Sequence, residues 1–116
     1  MSDPGCVFCK ISSGDIPAEI VYETGQVLAF RDNNAQAPVH VLIIPRKHIA
    51  TINELEDADA GLVGQLYTAA RDIAKAEGTD EAGYRVTMNC NRAAGQSVFH
   101  LHLHLLGGRN FTWPPG

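Results

Sequence analysis

The chain has 116 residues, of which 45% are hydrophobic and 19% are charged. This length and composition are typical of one globular domain that buries a core of its own. The formal net charge of −4 argues against a nucleic-acid partner, because proteins that bind nucleic acids present a basic face.

The amino terminus favours a cytoplasmic location. It reads Met-Ser-Asp-Pro-Gly and lacks the basic and apolar segments of a secretory signal. No apolar run approaches the roughly 20 residues that a membrane-spanning helix needs. We therefore expect a cytoplasmic protein that does not act at a membrane.

The first half of the chain predicts three strands of an antiparallel sheet. Residues 18–22 and 27–30 are two short β-type segments separated by a turn, which is typical of a hairpin. Residues 39–44 are rich in β-branched side chains and stop at Pro45. This third segment is apolar on both faces, so we expect it near the centre of the sheet. His40 interrupts the apolar run and calls for an explanation.

A long amphipathic helix follows these strands. Apolar residues recur at helical spacing from about residue 58 to about residue 77. Asp57 or Asp59 can cap the start of this helix, and Gly78 suits the left-handed position just beyond its end.

The last part of the chain predicts two more strands, at residues 84–89 and 100–106. The expected fold is therefore α+β: a five-stranded antiparallel sheet with one main helix packed on it. We predict that residues 1–116 form a single domain.

Residues 100–106 read His-Leu-His-Leu-His-Leu-Leu, the most informative pattern in the chain. Residues two apart in a strand point to the same face, so His100, His102 and His104 share a face at steps of about 7 Å. Imidazole rings need partners when buried, and they change charge near neutral pH. The pattern therefore indicates a nucleophile, a proton shuttle or metal ligands. The alternative is a half-exposed polar face of a two-sided strand.

A small polar turn, Gly95-Gln96-Ser97, precedes the histidines. Glycine lets backbone amides approach an anion closely, and the Ser97 hydroxyl can donate to a phosphate oxygen or to a departing group. Gly and Ser are also common in ordinary turns. Directly before three histidines, the turn favours one wall of a phosphoryl-transfer site.

Cys6 and Cys9 form a Cys-x-x-Cys pair, which is half of a zinc site. A structural disulfide does not suit a short intracellular chain, and no βαβ unit follows, as a thioredoxin-like redox pair would require. The missing zinc ligands would have to be histidines from elsewhere, and His48 and His100 are the candidates.

The run at 100–106 resembles the His-φ-His-φ-His-φ-φ signature of the histidine-triad family of nucleotide hydrolases and transferases, where φ is apolar. Further agreement lies in residues 8–11, 16–18 and 37–49. The ending, Gly-Gly-Arg at 107–109 and Trp-Pro-Pro-Gly at 113–116, is similar to the Hint branch, the purine nucleoside phosphoramidases. The resemblance covers nearly the whole chain.

The resemblance implies a role for each triad residue. His102 is the nucleophile, His104 binds a phosphate oxygen, and His40 hydrogen-bonds into the triad and passes protons. Ser97 and the histidines relay a proton to the leaving amine. The donors that stabilise the developing charge are Asn89, Gly95, Gln96, Ser97 and His104. The alternative for His40 and His104 is that each is a hydrogen-bonded structural histidine.

The resemblance also implies a nucleoside pocket. Its apolar walls are Val7, Phe8, Ile11 and Phe30, and Asp32 accepts hydrogen bonds from the ribose hydroxyls. Without the family these apolar residues could equally belong to the core, and Asp32 could belong to a turn.

The related galactose-1-phosphate uridylyltransferase arrangement implies the full ligand set of a structural zinc: Cys6, Cys9, His48 and His100. One loop position departs from the family, because Asn91 stands where many relatives have glycine. Asn tolerates positive φ better than other non-glycine residues, so we expect the loop to keep its shape.

The implied activity is hydrolysis of the P–N bond of purine nucleoside 5′-phosphoramidates of the AMP-amide type, through a nucleotidyl-histidine intermediate. No cofactor is needed for this chemistry, since imidazolium and hydrogen-bond donors supply the positive field. Two alternatives stay open. One is a dinucleoside polyphosphate hydrolase of the same family, and the other is a non-catalytic, zinc-stabilised nucleotide-binding or interaction module.

The carboxyl-terminal tail, residues 107–116, predicts a homodimer. Its glycines and prolines cannot continue a strand, yet it carries Phe111 and Trp113, which are aromatic residues enriched at interfaces. Hint relatives dimerise through the corresponding helix and strand, which implies a sheet that continues across the dimer. We expect Trp113 to reach the partner's active site and border the leaving group. The alternative is a tail folded on its own subunit.

Overall fold

The computed structural model describes residues 3–116. The strands are β1 (Ile20–Glu23), β2 (Val27–Arg31), β3 (Val39–Pro45), β4 (Tyr84–Thr87) and β5 (Leu103–Gly107). Within the described range they form one antiparallel sheet in the order β1-β2-β3-β5-β4. The α-helices are α1 (Val7–Ser13) and α2 (Ala60–Ala76), and short 3-10 helices cover Ile52–Glu54, Asp57–Asp59 and Arg92–Ala94. The predicted α+β fold with a five-stranded sheet and one main helix is confirmed.

The central strand β3 pairs with β2 on one side and with β5 on the other. Its side chains alternate between two apolar layers, as the period of two in a strand requires. Val41 and Ile43 pack toward α2, whereas Leu42 and Ile44 pack toward α1 and the amino-terminal segment. The sheet is therefore covered on both faces, which explains why β3 is apolar apart from His40.

Helix α2 ends as predicted but does not begin as predicted. Gly78 has φ +77°, its N–H donates to the Lys75 carbonyl, and the Thr79 N–H donates to the Ala74 carbonyl. These two bonds form a Schellman motif. At the start, the Asp59 side chain does not cap α2; it accepts from the Glu56 N–H and from Lys47 Nζ at 2.7 Å. The predicted side-chain cap was wrong because this buried carboxylate pairs with a lysine instead.

The predicted strand at 100–106 was partly wrong, because β5 begins only at Leu103. The preceding residues leave the ladder so that the His100 ring can reach the cysteines, and the Leu101 N–H donates to the Ile49 carbonyl. The alternation survives this irregularity. Leu101, Leu103 and Leu105 are buried in the layer beneath α2, and the histidines lie on the opposite face.

Helix α1 is a feature that the sequence did not predict. The Cys6 side chain caps it by accepting the Cys9 N–H at 3.3 Å, and Gly14 ends it with φ +87°. Its buried residues include Phe8, which packs edge-on against Phe30 at a centroid distance of 5.4 Å. The helix thereby covers the histidine side of the sheet.

The carboxyl-terminal tail lies on its own subunit as far as Thr112. Arg85 donates to the Thr112 carbonyl at 2.9 Å, and Arg109 stacks over the Phe111 ring at 4.2 Å. Trp113, by contrast, is 82% exposed. None of the helices in residues 3–116 has the length and apolar character needed to cross a membrane.

Candidate functional site

His102 lies at the centre of the site, and its hydrogen bonding fixes which ring nitrogen carries the proton. Its Nδ1 lies 2.8 Å from the His100 backbone carbonyl, so Nδ1 must be the protonated donor. In the neutral ring, Nε2 then keeps its lone pair. Burial lowers the pKa of His102, so the neutral form dominates at pH 7. These are the properties of a nitrogen nucleophile.

His40 and His104 form a hydrogen-bonded pair beside His102. The Gln36 backbone N–H donates to His40 Nδ1 at 3.0 Å, which leaves the proton of a neutral His40 on Nε2. His40 Nε2 lies 3.0 Å from His104 Nδ1, which therefore accepts. His104 must then carry its own proton on Nε2, where it can donate to an anion. The rings of His102 and His104 are 5.0 Å apart, centroid to centroid.

The surroundings keep this pair neutral. Burial, together with the neighbouring His102 and His40, lowers the pKa of His104 to about 4. Burial also lowers the pKa of His40, against the opposing effect of the Asp32 carboxylate. Asp32 Oδ2 lies 3.4 Å from His40 Nε2. Hydrogen bonds to and between neutral rings therefore determine which nitrogen of His40 and which nitrogen of His104 carries the proton.

The four predicted metal ligands converge at one place. His100 Nδ1 lies 3.3 Å from Cys6 Sγ, 3.5 Å from Cys9 Sγ and 3.2 Å from His48 Nδ1, and Cys9 Sγ lies 3.4 Å from His48 Nδ1. Zinc bonds of about 2.3 Å to sulfur and about 2.0 Å to nitrogen place tetrahedral ligand atoms about 3.3–3.8 Å apart. The donor set and its spacing thus fit a tetrahedral zinc ion.

The groups around this cluster also suit a metal. His100 Nε2 lies 2.7 Å from the Pro45 carbonyl, so Nδ1 is the unprotonated, ligating nitrogen. Burial lowers the pKa of His100 to about 4, which keeps it neutral. The Asp3 N–H donates to Cys9 Sγ at 3.3 Å, and Asp3 Oδ2 lies 3.7 Å from His48 Nε2. Asp3 is therefore an outer neighbour of two candidate ligands.

An apolar cavity of about 510 Å³ lies on the α1 side of the sheet. The structure brings together every residue predicted for the nucleoside pocket, and all of them line this cavity: Val7, Phe8, Ile11, Phe30 and Asp32. Phe8 connects the cavity to the reactive face, because its ring lies 5.2 Å from that of His102. One Asp32 oxygen already accepts the Asn34 N–H, so only part of its accepting capacity is free.

The predicted phosphate turn is arranged differently from the expectation. The Gly95 and Gln96 amides donate to the carbonyls of Arg92 and Asn91. The Gln96 side chain is buried and bonds to the Asn91 N–H and to the Ala50 and Val98 carbonyls. These two amides therefore hold the shape of the loop, and the role of the turn in binding phosphate stays a prediction. Asn91 has φ +69°, as its tolerance of positive φ suggested.

The remaining predicted residues flank the site. Ser97 is exposed and lines a smaller cavity of about 370 Å³ together with Val7, His48 and Phe99. Asn89 is half-buried just beyond the end of β4. Trp113 lines neither the cavity of about 510 Å³ nor that of about 370 Å³.

Sequence reasoning missed several residues that shape the site. The Asp3 N–H and the Gln36 N–H act as backbone donors, which leave no signal in the sequence, and Asp3 also places its carboxylate near His48. Ile16, Pro17 and Leu42 also line the larger cavity. Ile16 and Pro17 lie in a segment that resembles the family, and this was the one available signal for them.

Comparison with known proteins gives a consistent result. The profile of the HIT domain family matches residues 13–111. An uncharacterized HIT-like protein of Synechococcus elongatus is 50% identical over 110 residues, covering 95% of this chain and 96% of the relative. A HIT-like protein of Synechocystis is 47% identical, with the same coverage.

Solved structures agree with the sequence relatives. A HIT family hydrolase from Legionella pneumophila superposes with a TM-score of 0.95 at 55% identity, covering 97% of this chain and 100% of the other. A HIT family hydrolase from Clostridium thermocellum gives 0.94 at 47% identity, with 96% of each chain covered. Because the similarity extends over nearly the whole length at this identity, the chain belongs to the HIT domain family.

Proposed function

We propose that this HIT-family, hydrolase-like protein cleaves the P–N bond of purine nucleoside 5′-phosphoramidates. The observation that carries the proposal is the hydrogen bonding of His102 and His104, from which the protonated nitrogen of each ring follows. His102 presents an unprotonated Nε2, and His104 presents an Nε2–H on the same face. One ring is therefore ready to attack phosphorus while its neighbour donates to a phosphate oxygen.

The reaction runs in two displacements. His102 Nε2 uses its lone pair to form a bond to the α-phosphorus, and the P–N bond to the amine breaks. The departing nitrogen takes up one proton, for which Ser97 and the histidine pair are the proposed relay, and leaves as a free amine. Water then forms a bond from its oxygen to phosphorus, and the bond to His102 breaks. One proton of the water replaces the proton that the relay gave to the amine, and the other passes to the solvent. Splitting the reaction in this way lowers the barrier of each step.

Hydrogen bonds stabilise the charge that develops on the phosphoryl oxygens. The His102 Nδ1–H stays bonded to the His100 carbonyl, which supports the imidazolium formed on attack. His104 Nε2–H, the Asn89 amide and the Ser97 hydroxyl are the proposed donors to oxygen. Gly95 and Gln96 contribute indirectly, by holding the loop that presents Ser97.

The cavity of about 510 Å³ is the proposed nucleoside site. This volume lies within the range of small-molecule pockets. Phe8 and Phe30 supply aromatic surface for a purine, and Asp32 supplies a carboxylate oxygen for the ribose hydroxyls. Phe8 touches both the cavity and His102, which suits a substrate whose base and α-phosphorus are joined by one ribose.

The proposed zinc ion is structural. Cys6, Cys9, His48 and His100 would hold a zinc ion with four protein ligands, and the bound ion would cross-link and stabilise the fold. Cys6 and Cys9 tie α1 to the sheet, and the His100 backbone orients the nucleophile. The metal thus supports the site without entering the reaction.

We also propose a homodimer, built through α2 and the edge strand β4 into a continuous sheet. β4 pairs only with β5 in the described sheet, which leaves its other edge free to pair. Tyr67 on α2 is 48% exposed, and Trp113 is exposed at the end of the tail. In this arrangement Trp113 borders the leaving-group side of the partner's site.

The proposal is tested by mixing the protein with an AMP-amide, quenching within milliseconds and searching for a nucleotidyl adduct by mass spectrometry. We expect an AMP adduct on the peptide that carries His102, and none in His102→Ala. Steady-state turnover of the AMP-amide should exceed that of a diadenosine polyphosphate. The opposite ranking would support the dinucleoside hydrolase, and binding with no turnover of either compound would support a non-catalytic module.

A further inference from the structure

The carboxyl-terminal tail packs against the loop that joins β2 to β3. Arg109 Nε donates to the Gln36 carbonyl at 3.0 Å. Beside this bond, a side chain at Gly108 would meet Pro38 at 2.9 Å, and Gly108 has φ +87°. The Gly108 backbone thus lies directly against the Pro38 ring, and with its positive φ this position favours glycine. The tail and the loop between β2 and β3 are therefore in direct contact at this point.

Gln36 connects this contact to the histidines. Its N–H donates to His40 Nδ1, while its carbonyl accepts from Arg109. The loop around Gln36 is exposed, whereas the His40 side chain is only 4% exposed. A buried ring is therefore oriented by a peptide from an exposed loop, and such a loop holds its place only if something anchors it.

Arg109 is suited to be that anchor. Its guanidinium lies 4.2 Å from the centre of the Phe111 ring, and its Nη1 donates to the Asn110 carbonyl. These contacts fix the planar group so that Nε points at Gln36. Arg85 holds the tail as well, since it donates to the Thr112 carbonyl and its guanidinium lies 5.2 Å from the centre of the same Phe111 ring. Because Arg85 also attaches the tail, the hydrogen bond from Arg109 to Gln36 can hold the loop in place.

We propose that Arg109 is a positioning residue for the His40–His104 pair, and that it acts through the backbone of Gln36. Holding the Gln36 carbonyl keeps the Gln36 N–H on His40 Nδ1, which keeps the His40 proton on Nε2. His104 then accepts at Nδ1 and presents its own proton at Nε2. The tail thereby determines whether His104 Nε2 carries a proton that it can donate to an incoming anion.

The direct test is imidazole ¹⁵N NMR on protein without substrate, with the His40 signals identified by their loss in His40→Gln. In the unmodified protein His40 should be one tautomer, protonated at Nε2. Arg109→Ala should shift the His40 nitrogens toward the averaged values of mixed tautomers. Lys10→Ala, which removes an exposed cation on α1, should leave them unchanged. An unchanged His40 tautomer in Arg109→Ala overturns the proposal.

A second measurement rests on the proposed function. With an AMP-amide, Arg109→Ala should lower kcat by roughly threefold to tenfold, the worth of one hydrogen bond, while Lys10→Ala, which removes an exposed cation on α1, stays within about twofold. An equal loss in both variants would overturn the specific role of Arg109. If the protein does not turn over the amide at all, the proposed function fails while the NMR result still stands on its own.

Discussion

His100 and His102 are joined by a hydrogen bond of 2.8 Å, in which the His102 Nδ1–H donates to the His100 backbone carbonyl. The ring of His100 belongs at the same time to the Cys/His cluster, where its Nδ1 lies 3.3 Å from Cys6 Sγ. One residue thus serves the metal cluster with its side chain and the proposed nucleophile with its backbone. The position of the His102 ring depends on how firmly His100 is held.

Replacing His102 with Ala tests the nucleophile. The change removes the attacking nitrogen, so turnover of an AMP-amide should fall by about 10⁴-fold or more. AMP should still bind with an affinity close to that of the unmodified protein, because Phe8, Phe30 and Asp32 are untouched. Turnover is measured by release of the amine, and AMP binding is measured by calorimetry. Sustained multiple turnover in His102→Ala would rule out the proposed mechanism.

The metal cluster predicts about one zinc per chain in protein purified without chelators, measured by elemental analysis. Cys9→Ser should lose most of the zinc and lower Tm by at least about 10 °C, since the binding energy stabilises the folded state. Cys90→Ser is the matched control, because Cys90 lies outside the cluster, and it should keep both zinc and Tm. Zinc well below one per chain in the unmodified protein would contradict the site.

The low pKa of His104 predicts a dependence of stability on pH. Its pKa is about 4 in the folded protein and near 6.5 when unfolded, so the unfolded state binds more protons between these values. The free energy of unfolding should therefore fall as the pH is lowered from about 6.5 to about 4, and this contribution is fully present above pH 6.5. Denaturant titrations at pH 7.5 and pH 5 should show a smaller loss in His104→Gln than in the unmodified protein. An equal loss in both would show that His104 is not held neutral.

Asp32 predicts selectivity for the ribose hydroxyls. The unmodified protein should prefer an AMP-amide to its 2′,3′-dideoxy analogue by roughly tenfold or more in kcat/KM, because a charged acceptor is left unpaired by the analogue. Asp32→Asn should lose much of this preference. Comparing the ratio of the two substrates separates ribose recognition from the effect of Asp32 on His40, which acts on both substrates alike. A preference unchanged in Asp32→Asn would contradict the ribose contact.

The proposed dimer predicts a role for Trp113 in selecting the amine. Analytical ultracentrifugation at micromolar concentration should give the mass of two chains. Trp113→Ala should reorder the kcat/KM values of AMP-amides that differ in their amine group, whereas Thr112→Ala, which keeps the backbone bond to Arg85, should not. A monomeric protein, or an unchanged order in Trp113→Ala, would count against a tail that crosses to the partner.

The periodic elements could be predicted from the sequence because their side chains report their surroundings. The apolar run of β3 indicated a central strand, and the helical spacing from 58 to 77 indicated α2. The short helix α1 escaped prediction because seven residues are too few for a periodic signal, and its cap is a cysteine, which is not an ordinary capping residue.

The residues of the site could be named from the family pattern, but their hydrogen bonds could not. Gln96 illustrates the difficulty. Its turn composition suggested amides open to an anion, whereas its side chain and N–H both serve the loop, through contacts as distant in sequence as Ala50. The contact between Arg109 and Gln36 could not be predicted for the same reason, because the Arg109 side chain donates to a backbone carbonyl 73 residues away in the sequence.

The alternation of leucine and histidine around β5 has a consequence for how this protein can vary. Leu101, Leu103 and Leu105 enter the layer under α2, while His102 and His104 face the other way. Deleting one residue between Leu101 and Leu105 would exchange the two faces downstream of the deletion, sending imidazole into the core and leucine into the site. Lineages of this protein should therefore accept substitutions here far more readily than insertions or deletions, and differences in length should collect in exposed turns away from the site, such as residues 80–83.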